Sequence, residues 1–407
     1  MTVDDLLDAP LVDMPIVPAP VDCMPSVLAA GRAAPVVKID YYGGTAWVVC
    51  DMDLARTALA DPRLHKDIEL TPAWMRVPGE IMGSQPPGEV ARAMVLSDGA
   101  EHARIRRLHA GILTQDAVAS RTRPVAELAQ RLLDGLAAEA AAGDGEVNLV
   151  EHYTHAIPRA SVCEMLGLRG EMHGELRRIT DDIIFSSDRA VRERGIGALA
   201  SAVAGWAGDP GSLNEGVVTA LLAAVGGAEA VTFDEVVTWT VGLVLAGYES
   251  TASLISSAVL EALRRPADER PRSEPEIEAW IEETLRVHPP FPHPTWRFAA
   301  EDLNLGGYFI PKGGPVQINI AAANRCPHGE IADEFDPSTR RGHISFGRGS
   351  HFCLGTALVR VETSIALSAF FSRFPNARLS ETTDVSWESG WLTRRISVLP
   401  VVLTDAP

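Results

Sequence analysis

Residues Phe346 to Gly355 read FGRGSHFCLG, a single cysteine set in a glycine-rich turn with an apolar helical run starting directly behind it. Gly347 and Gly349 permit positive φ and let the backbone come close to a flat ligand. Gly355 removes a side chain where the following helix must pass near that ligand. Cys353 falls at the N-terminus of the helix, where free N–H groups and the helix dipole favour negative charge, so a lowered thiol pKa is expected. Phe346 and Phe352 give the sulfur apolar cover. A thiolate so placed faces whatever docks on the turn and can hold a soft metal centre through one strong anionic ligand. A buried structural thiol is the competing reading, and the length of the patterned run argues against it.

The run fits FxxGxxxCxG and resembles the haem-binding signature of the cytochrome P-450 family. The next stretch, CLGTALVRVE, is similar to the family continuation CxGxxLxRxE through Leu358, Arg360 and Glu362. The resemblance implies a mainly α fold with small β-sheets, a long central helix over a haem, and the cysteine-ligand loop on the proximal side. It implies Cys353 as the metal ligand of haem b, with Phe346, Gly347 and Gly355 beside the cofactor. Thiolate ligation pushes electron density into the iron and favours O–O cleavage.

Thr232 to Arg265 is the longest helical stretch and is too apolar for a surface helix, so it is expected to cross the core. Inside it stands Ala246–Gly247–Tyr248–Glu249–Ser250–Thr251. Gly247 costs about 1 kcal/mol against Ala in a helix interior, which predicts something large packed against the backbone there. Glu249 beside a hydroxyl is an acid–alcohol pair suited to relaying protons. A serine hydroxyl also bonds back to the i−4 carbonyl and bends the helix. The segment resembles the family's oxygen-activation motif, (A/G)Gx(D/E)T, with Ser250 where the family has Thr. The resemblance implies Ala246 and Gly247 at the cofactor and Glu249, Ser250 and Thr251 as the catalytic candidates. Ser250 lacks the methyl that restricts a threonine rotamer. Thr251 lies roughly 100° further round the helix and is not expected to replace it.

Glu283 and Arg286 form an i,i+3 pair, alone no more than surface decoration worth ~0.2–0.5 kcal/mol. The spacing matches the family's ExxR, which implies a buried structural ion pair. Haem propionates need cations or donors. His102 and Arg106, four apart on one helix face, Arg297 in an extended segment, and His343 three residues before Phe346 each look like a family propionate contact. The substrate pocket is expected from the Pro- and Gly-rich loop Leu70–Leu96, from Val244, Leu245 and Tyr248, from His293 and Thr295 on the face of Arg297, and from Trp391 at a hairpin tip.

The periodicity predicts strands over Val36–Tyr42, Ala46–Asp51, Leu303–Ile310, Pro315–Ile320, Leu379–Trp387 and Ile396–Leu403. It predicts helices from Met52 to Ala60, Asp98 to Ile112, Pro124 to Ala142, His152 to Leu168, Glu171 to Phe185, Asp188 to Trp206, Pro275 to Val287 and Gly355 to Phe371. With 407 residues and no low-complexity linker, one domain over 1–407 is expected.

A formal net charge of −18 argues against nucleic acid and against an anionic membrane surface. The N-terminus lacks the pattern of a signal peptide. Five scattered cysteines without disulfide or zinc spacing indicate a reducing cytosol, so a cytoplasmic protein is expected. The longest apolar run, Val236 to Tyr248, is too short to span a bilayer, which favours the soluble bacterial form of the family, expected as a monomer. The function implied is a haem-thiolate monooxygenase oxidising a C–H bond of a small secondary metabolite with aromatic or apolar surface. O2 is the co-substrate. Electrons come from NAD(P)H through a separate ferredoxin or flavodoxin-type donor, docked on an edge formed by Arg104, Arg107 and Arg348. Two alternatives remain: oxidative coupling or cyclisation without oxygen insertion, and a non-catalytic recruitment platform for a carrier protein.

Overall fold

The computed structural model describes residues 6–14, 22–76, 93–326, 332–390 and 392–403. Helix α1 (Met24–Ala33) leads into a hairpin of β1 (Val36–Tyr41) and β2 (Gly44–Val49). Tyr42 and Gly43 both take positive φ at its tip, the geometry of a two-residue hairpin turn. Helix α2 (Met52–Ala60), capped by the Asp51 carboxylate on two N–H groups, and the short β3 (Leu64–His65) follow. Then come α3 (Gly99–Ile112), α4 (Gln115–Ala142), β4 (Glu146–Asn148), a π-helical turn over Val150–Thr154, α5 (Ala156–Leu166), α6 (Gly170–Phe185), α7 (Arg189–Gly208) and α8 (Val217–Ala223). The long apolar stretch is α9 (Phe233–Gly247) and α10 (Glu249–Leu263). The chain continues through α11 (Glu274–Val287), β5 (Arg297–Ala299), β6 (Leu303–Leu305), β7 (Tyr308–Ile310), β8 (Pro315–Ile318) and α12 (Ile320–Arg325). It ends with α13 (Thr356–Arg373), β9 (Arg378–Leu379), β10 (Ser386–Ser389), β11 (Arg394–Val398) and β12 (Pro400–Val402).

Helices dominate, and the sheets are small and peripheral. The largest runs β1-β2-β8-β5-β3, with β2 parallel to β8 and Trp47 opposite Val316. The apolar interior sits where α4, α5, α10, α11 and α13 meet, with Phe370, Phe374, Leu254 and Val259 fully buried. A second apolar mass joins α5, α6, α7, α8 and α9.

Three elements differ from the sequence expectation for definable reasons. Helix α4 starts at a Thr114 cap, well before Pro124, and carries that proline inside it. The carbonyl that Pro124 leaves without a donor belongs to exposed Ser120, where solvent can reach it. The expected single helix Thr232–Arg265 is interrupted at Tyr248, whose φ of −106° is outside the helical range. The C-terminal strands break into four short pieces, β9 to β12. Of the loop Leu70–Leu96, residues 77–92 lie outside the described residues; the rest is short 3-10 turns at Ala73–Met75 and Met94–Leu96.

Candidate active site

The Cys353 turn closes on itself. Its N–H donates to the Phe346 carbonyl at 2.9 Å, and the Gly347 N–H to the Ile344 carbonyl at 2.8 Å. Gly347 and Gly349 take φ of +71° and +74°, a region that side chains disfavour. A Cβ on Gly349 would press on the Leu59 carbonyl at 3.1 Å, so this glycine lets the turn lie against the end of α2. Burial raises the Cys353 thiol above its ordinary value, opposed by the Gly355 N–H, Arg106 and Arg360. The helix terminus therefore does not win over desolvation, contrary to the sequence expectation. A bound metal cation reverses that balance, because coordination deprotonates a thiol outright. Cys50 and Cys163 are pushed up to about 12, chiefly by burial, and are inert core thiols.

Beside this turn lies a buried group of cations. Lys66, His102 and Arg297 are each under 5% exposed. Lys66 donates to the Thr295 carbonyl at 2.9 Å and to its hydroxyl. Arg297 reaches the carbonyls of Leu64 and Leu59 at 3.3 and 3.2 Å, and its Nε has no partner. The rings of His102 and His351 stand 4.1 Å apart, and His351 Nε2 is 3.5 Å from Asp98. Burial comes first for every member, and neighbouring cations add to it at Lys66, His102 and His351, while Asp98 opposes it. Lys66 falls well below its ordinary value, Arg297 to about 10 and His351 to about 4; His102 is lowered by burial and Arg106. Asp98 is the carboxylate that bears on them. So much buried positive charge, with orphaned donors on His102 and Arg297, fits a flat dianionic cofactor such as haem. Cys353, Arg106 and this group are the residues able to hold it.

Sequence reasoning placed His343 here, and the structure does not. His343 bonds Glu282 at 3.1 Å, the same carboxylate that Arg360 grips at 2.7 and 3.0 Å. Arg360 stacks over Phe346 at 4.7 Å, so this trio braces the turn from outside. Lys66 and His351 were missed. The signal for His351 was present, two residues before Cys353 in the run itself.

Glu283 and Arg286 form a bidentate pair with both bonds at 2.7 Å, and the Arg286 side chain is fully buried. Arg286 also donates to the carbonyls of Asn324, Ala332 and Glu334. Asn324 in turn accepts the Ile344 N–H and donates to Ser345, whose hydroxyl donates to the Leu285 carbonyl at 2.6 Å. Helix α11 is thereby tied to the residues that enter the Cys353 turn.

On the central helix, Ala246 is exposed and Ser250 half-buried, one turn apart on one face. The Ser250 hydroxyl donates to the Ala246 carbonyl at 3.2 Å, next to the break at Tyr248. Thr251 is buried and off this face. Gly247 turns the other way: a Cβ there would meet Val162 of α5 at 3.2 Å, so its packing partner is a core valine. Glu249 is 1% exposed, and neither carboxylate oxygen has a hydrogen-bond partner. Burial pushes it up to about 7 against the pull of Arg395, 3.6 Å away. Arg395, on β11, was not foreseen.

Of the substrate candidates, Val244 and Tyr248 are core residues, and the Tyr248 hydroxyl meets that of Thr180 at 2.5 Å. His293 is buried, and the chain becomes a strand only at Arg297, so the expected alternation does not reach it. Thr295 is taken by Lys66. Trp391 lies outside the described residues. Arg104 and Arg107 are not an open cationic edge, since Arg104 bonds Glu101 and Glu235, and Arg107 lies 3.7 Å from Glu229.

A family model described as Cytochrome P450 matches residues 275–386. The chain is 32% identical to the cytochrome P-450 monooxygenase DoxA of Streptomyces peucetius subsp. caesius, across 91% of this chain and 92% of that protein. It is 32% identical to the 6-deoxyerythronolide B hydroxylase of Saccharopolyspora erythraea, across 91% and 94%. Its structure is similar to that of CYP154C4 from Streptomyces sp. W2061, with a TM-score of 0.87, 29% identity and coverage of 98% and 99%.

Proposed function

Since the chain belongs to the cytochrome P450 family of oxidoreductases, we propose that it inserts oxygen into a C–H bond of a small, largely apolar or aromatic secondary metabolite. Haem b, held at Cys353, supplies the dioxygen activation. Lys66, His102, Arg106, Arg297 and His351 hold its carboxylates, which supply the negative charge that the buried cations lack. Phe346 and the Glu282–Arg360 brace keep the sulfur in place and shield it from water. Glu249 carries a proton near neutral pH and is the general acid; the adjacent Ser250 hydroxyl passes the proton to the open face beside Ala246. Arg348 shares one recess next to the turn with Arg56, 3.5 Å from Asp53, and Arg63, bonded to Asp61, and is the cation there that docks an acidic ferredoxin or flavodoxin-type donor fed by NAD(P)H. The protein works as a cytoplasmic monomer, one domain over 1–407. The pairing of β2 with β8, across most of the chain length, supports that unity.

The observation that carries this reading is the conjunction of the thiolate turn with the buried cations, since the Arg106 charge bears on both Cys353 and His102. The test is turnover of a bound apolar substrate under isotopically labelled dioxygen. A labelled hydroxylated product supports insertion. An oxidised product without label overturns it in favour of coupling.

A further inference from the structure

Arg395 stands at the meeting point of three elements, each offering it a carboxylate. Glu388, its direct cross-strand neighbour on β10, bonds its Nε. Asp181 on α6 accepts from Nη1 at 2.9 Å. Glu249 at the start of α10 is 3.6 Å from the same nitrogen, too far for a hydrogen bond. The guanidinium also lies over the ring of Phe185 on α6, 3.5 Å from its centroid. Helix α6 grips the central helix a second time, where the Thr180 and Tyr248 hydroxyls meet. The tip of the β10–β11 hairpin presses on α6 as well, since a Cβ on Gly390 would strike Ile184 and Phe185 at 2.9 Å.

One cation therefore serves three acids, and the most deeply buried of them is served worst. Around the same charge stand Arg177 on α6, which reaches Asp181 at 3.8 Å and bonds Glu151, and His155 before α5, held well below its ordinary value by burial and by Arg395. None of these offers Glu249 a second cation at salt-bridge distance.

We propose that Arg395 is a positioning residue whose guanidinium is contested by Asp181, Glu388 and Glu249, so that the seating of α6 sets how firmly the relay carboxyl is held. With α6 seated, Asp181 draws Arg395 away and Glu249 stays protonated. When α6 lifts, Asp181 leaves, Arg395 turns to Glu249, and the carboxylate is favoured. The proton supply to Ser250 is thus coupled to the helix that covers this side of the central helix. This rests on the relay role given to Glu249 above.

The experiment is infrared difference spectroscopy of the haem-loaded enzyme across pH, with Glu249→Gln assigning the Glu249 carboxyl band. Arg395→Gln removes the cation and is expected to raise the Glu249 midpoint by about one pH unit. Asp181→Asn removes the competitor and is expected to lower it by a similar amount, roughly one unit. Opposite shifts support the proposal. Midpoints that stay put, or move the same way in both variants, overturn it, because a latch that is only structural has no reason to move them apart. Asp181 is half-exposed, so Asp181→Asn decides alone if Arg395→Gln does not fold: an unmoved or raised midpoint overturns the proposal. Product formed per NAD(P)H consumed by Glu249→Gln separates the two claims. An unchanged yield there sinks the relay, whereas a reduced yield with unmoved midpoints sinks only the Arg395 proposal.

Discussion

Single residues decide whether the site can hold its cofactor and its proton. Lys66→Ala and His351→Ala each remove a donor from the side proposed for the propionates, and haem loss to a scavenging globin is expected to speed up several-fold. His343→Ala is expected to leave that rate near wild type, since His343 serves Glu282 instead. Sequence patterns pointed to Cys353, Arg106 and Arg297, because their neighbours in the chain carry a signature. Lys66 has no such signature; it is recruited by a strand pairing, β3 with β5, that brings it to Thr295. Glu362 makes a separate point about pH. Burial raises it to about 7, from 4.5. An acid with a raised folded pKa binds its proton more tightly when folded, so its stabilising contribution is full below pH 4.5 and is lost as pH rises to 7. Glu362→Gln is expected to flatten stability between those values and to gain about 1–3 kcal/mol over wild type at pH 8, read from denaturant melts.

At the scale of elements, the broken central helix is the informative case. The sequence predicted one long buried helix and a hydroxyl able to bond back to a carbonyl; the hydroxyl bond is present, and the buried stretch is divided into α9 and α10. What the pattern did not reveal is that the bend comes at Tyr248, because the deviation is carried by side-chain bonds to α6 as much as by Ser250. Ser250→Ala removes the hydroxyl while the tie to α6 keeps the bend. We expect substrate oxidation to lose coupling, with peroxide replacing at least half of the product, and Ser250→Thr to restore it. Peroxide yield per NAD(P)H measures this. Short elements such as α8 and α12 escaped the sequence reading because a helix of about two turns lacks enough residues to show a period. The pair Glu283–Arg286 was legible by spacing, and its depth only through the family resemblance. Glu283→Gln leaves a buried guanidinium half-served, with an expected cost of about 3–5 kcal/mol in a denaturant melt.

At the scale of the molecule, net charge and local charge have opposite signs. A chain of −18 repels acidic partners at long range, yet Arg348 stands beside the Cys353 turn in a recess with Arg56 and Arg63, of which Asp53 and Asp61 offset two. An acidic donor must come within about a Debye length, ~10 Å at 0.1 M salt, before this face attracts it. Arg348→Glu is expected to slow reduction by a ferredoxin roughly tenfold at low salt and much less at high salt, in stopped-flow traces. The overall architecture was legible because the signature names a fold, while the arginine face was not, since it joins α2 to a turn almost 300 residues later. The ties of Arg286 carry a further consequence, for the order of assembly during synthesis. Its three carbonyl partners lie 38 to 48 residues downstream. While the ribosome still holds that stretch, α11 carries a guanidinium that must stay in water, so it cannot dock. The docking of α11 therefore waits for residues 324–334, and the thiolate turn, tied to α11 through Asn324 and Ser345, closes only after them.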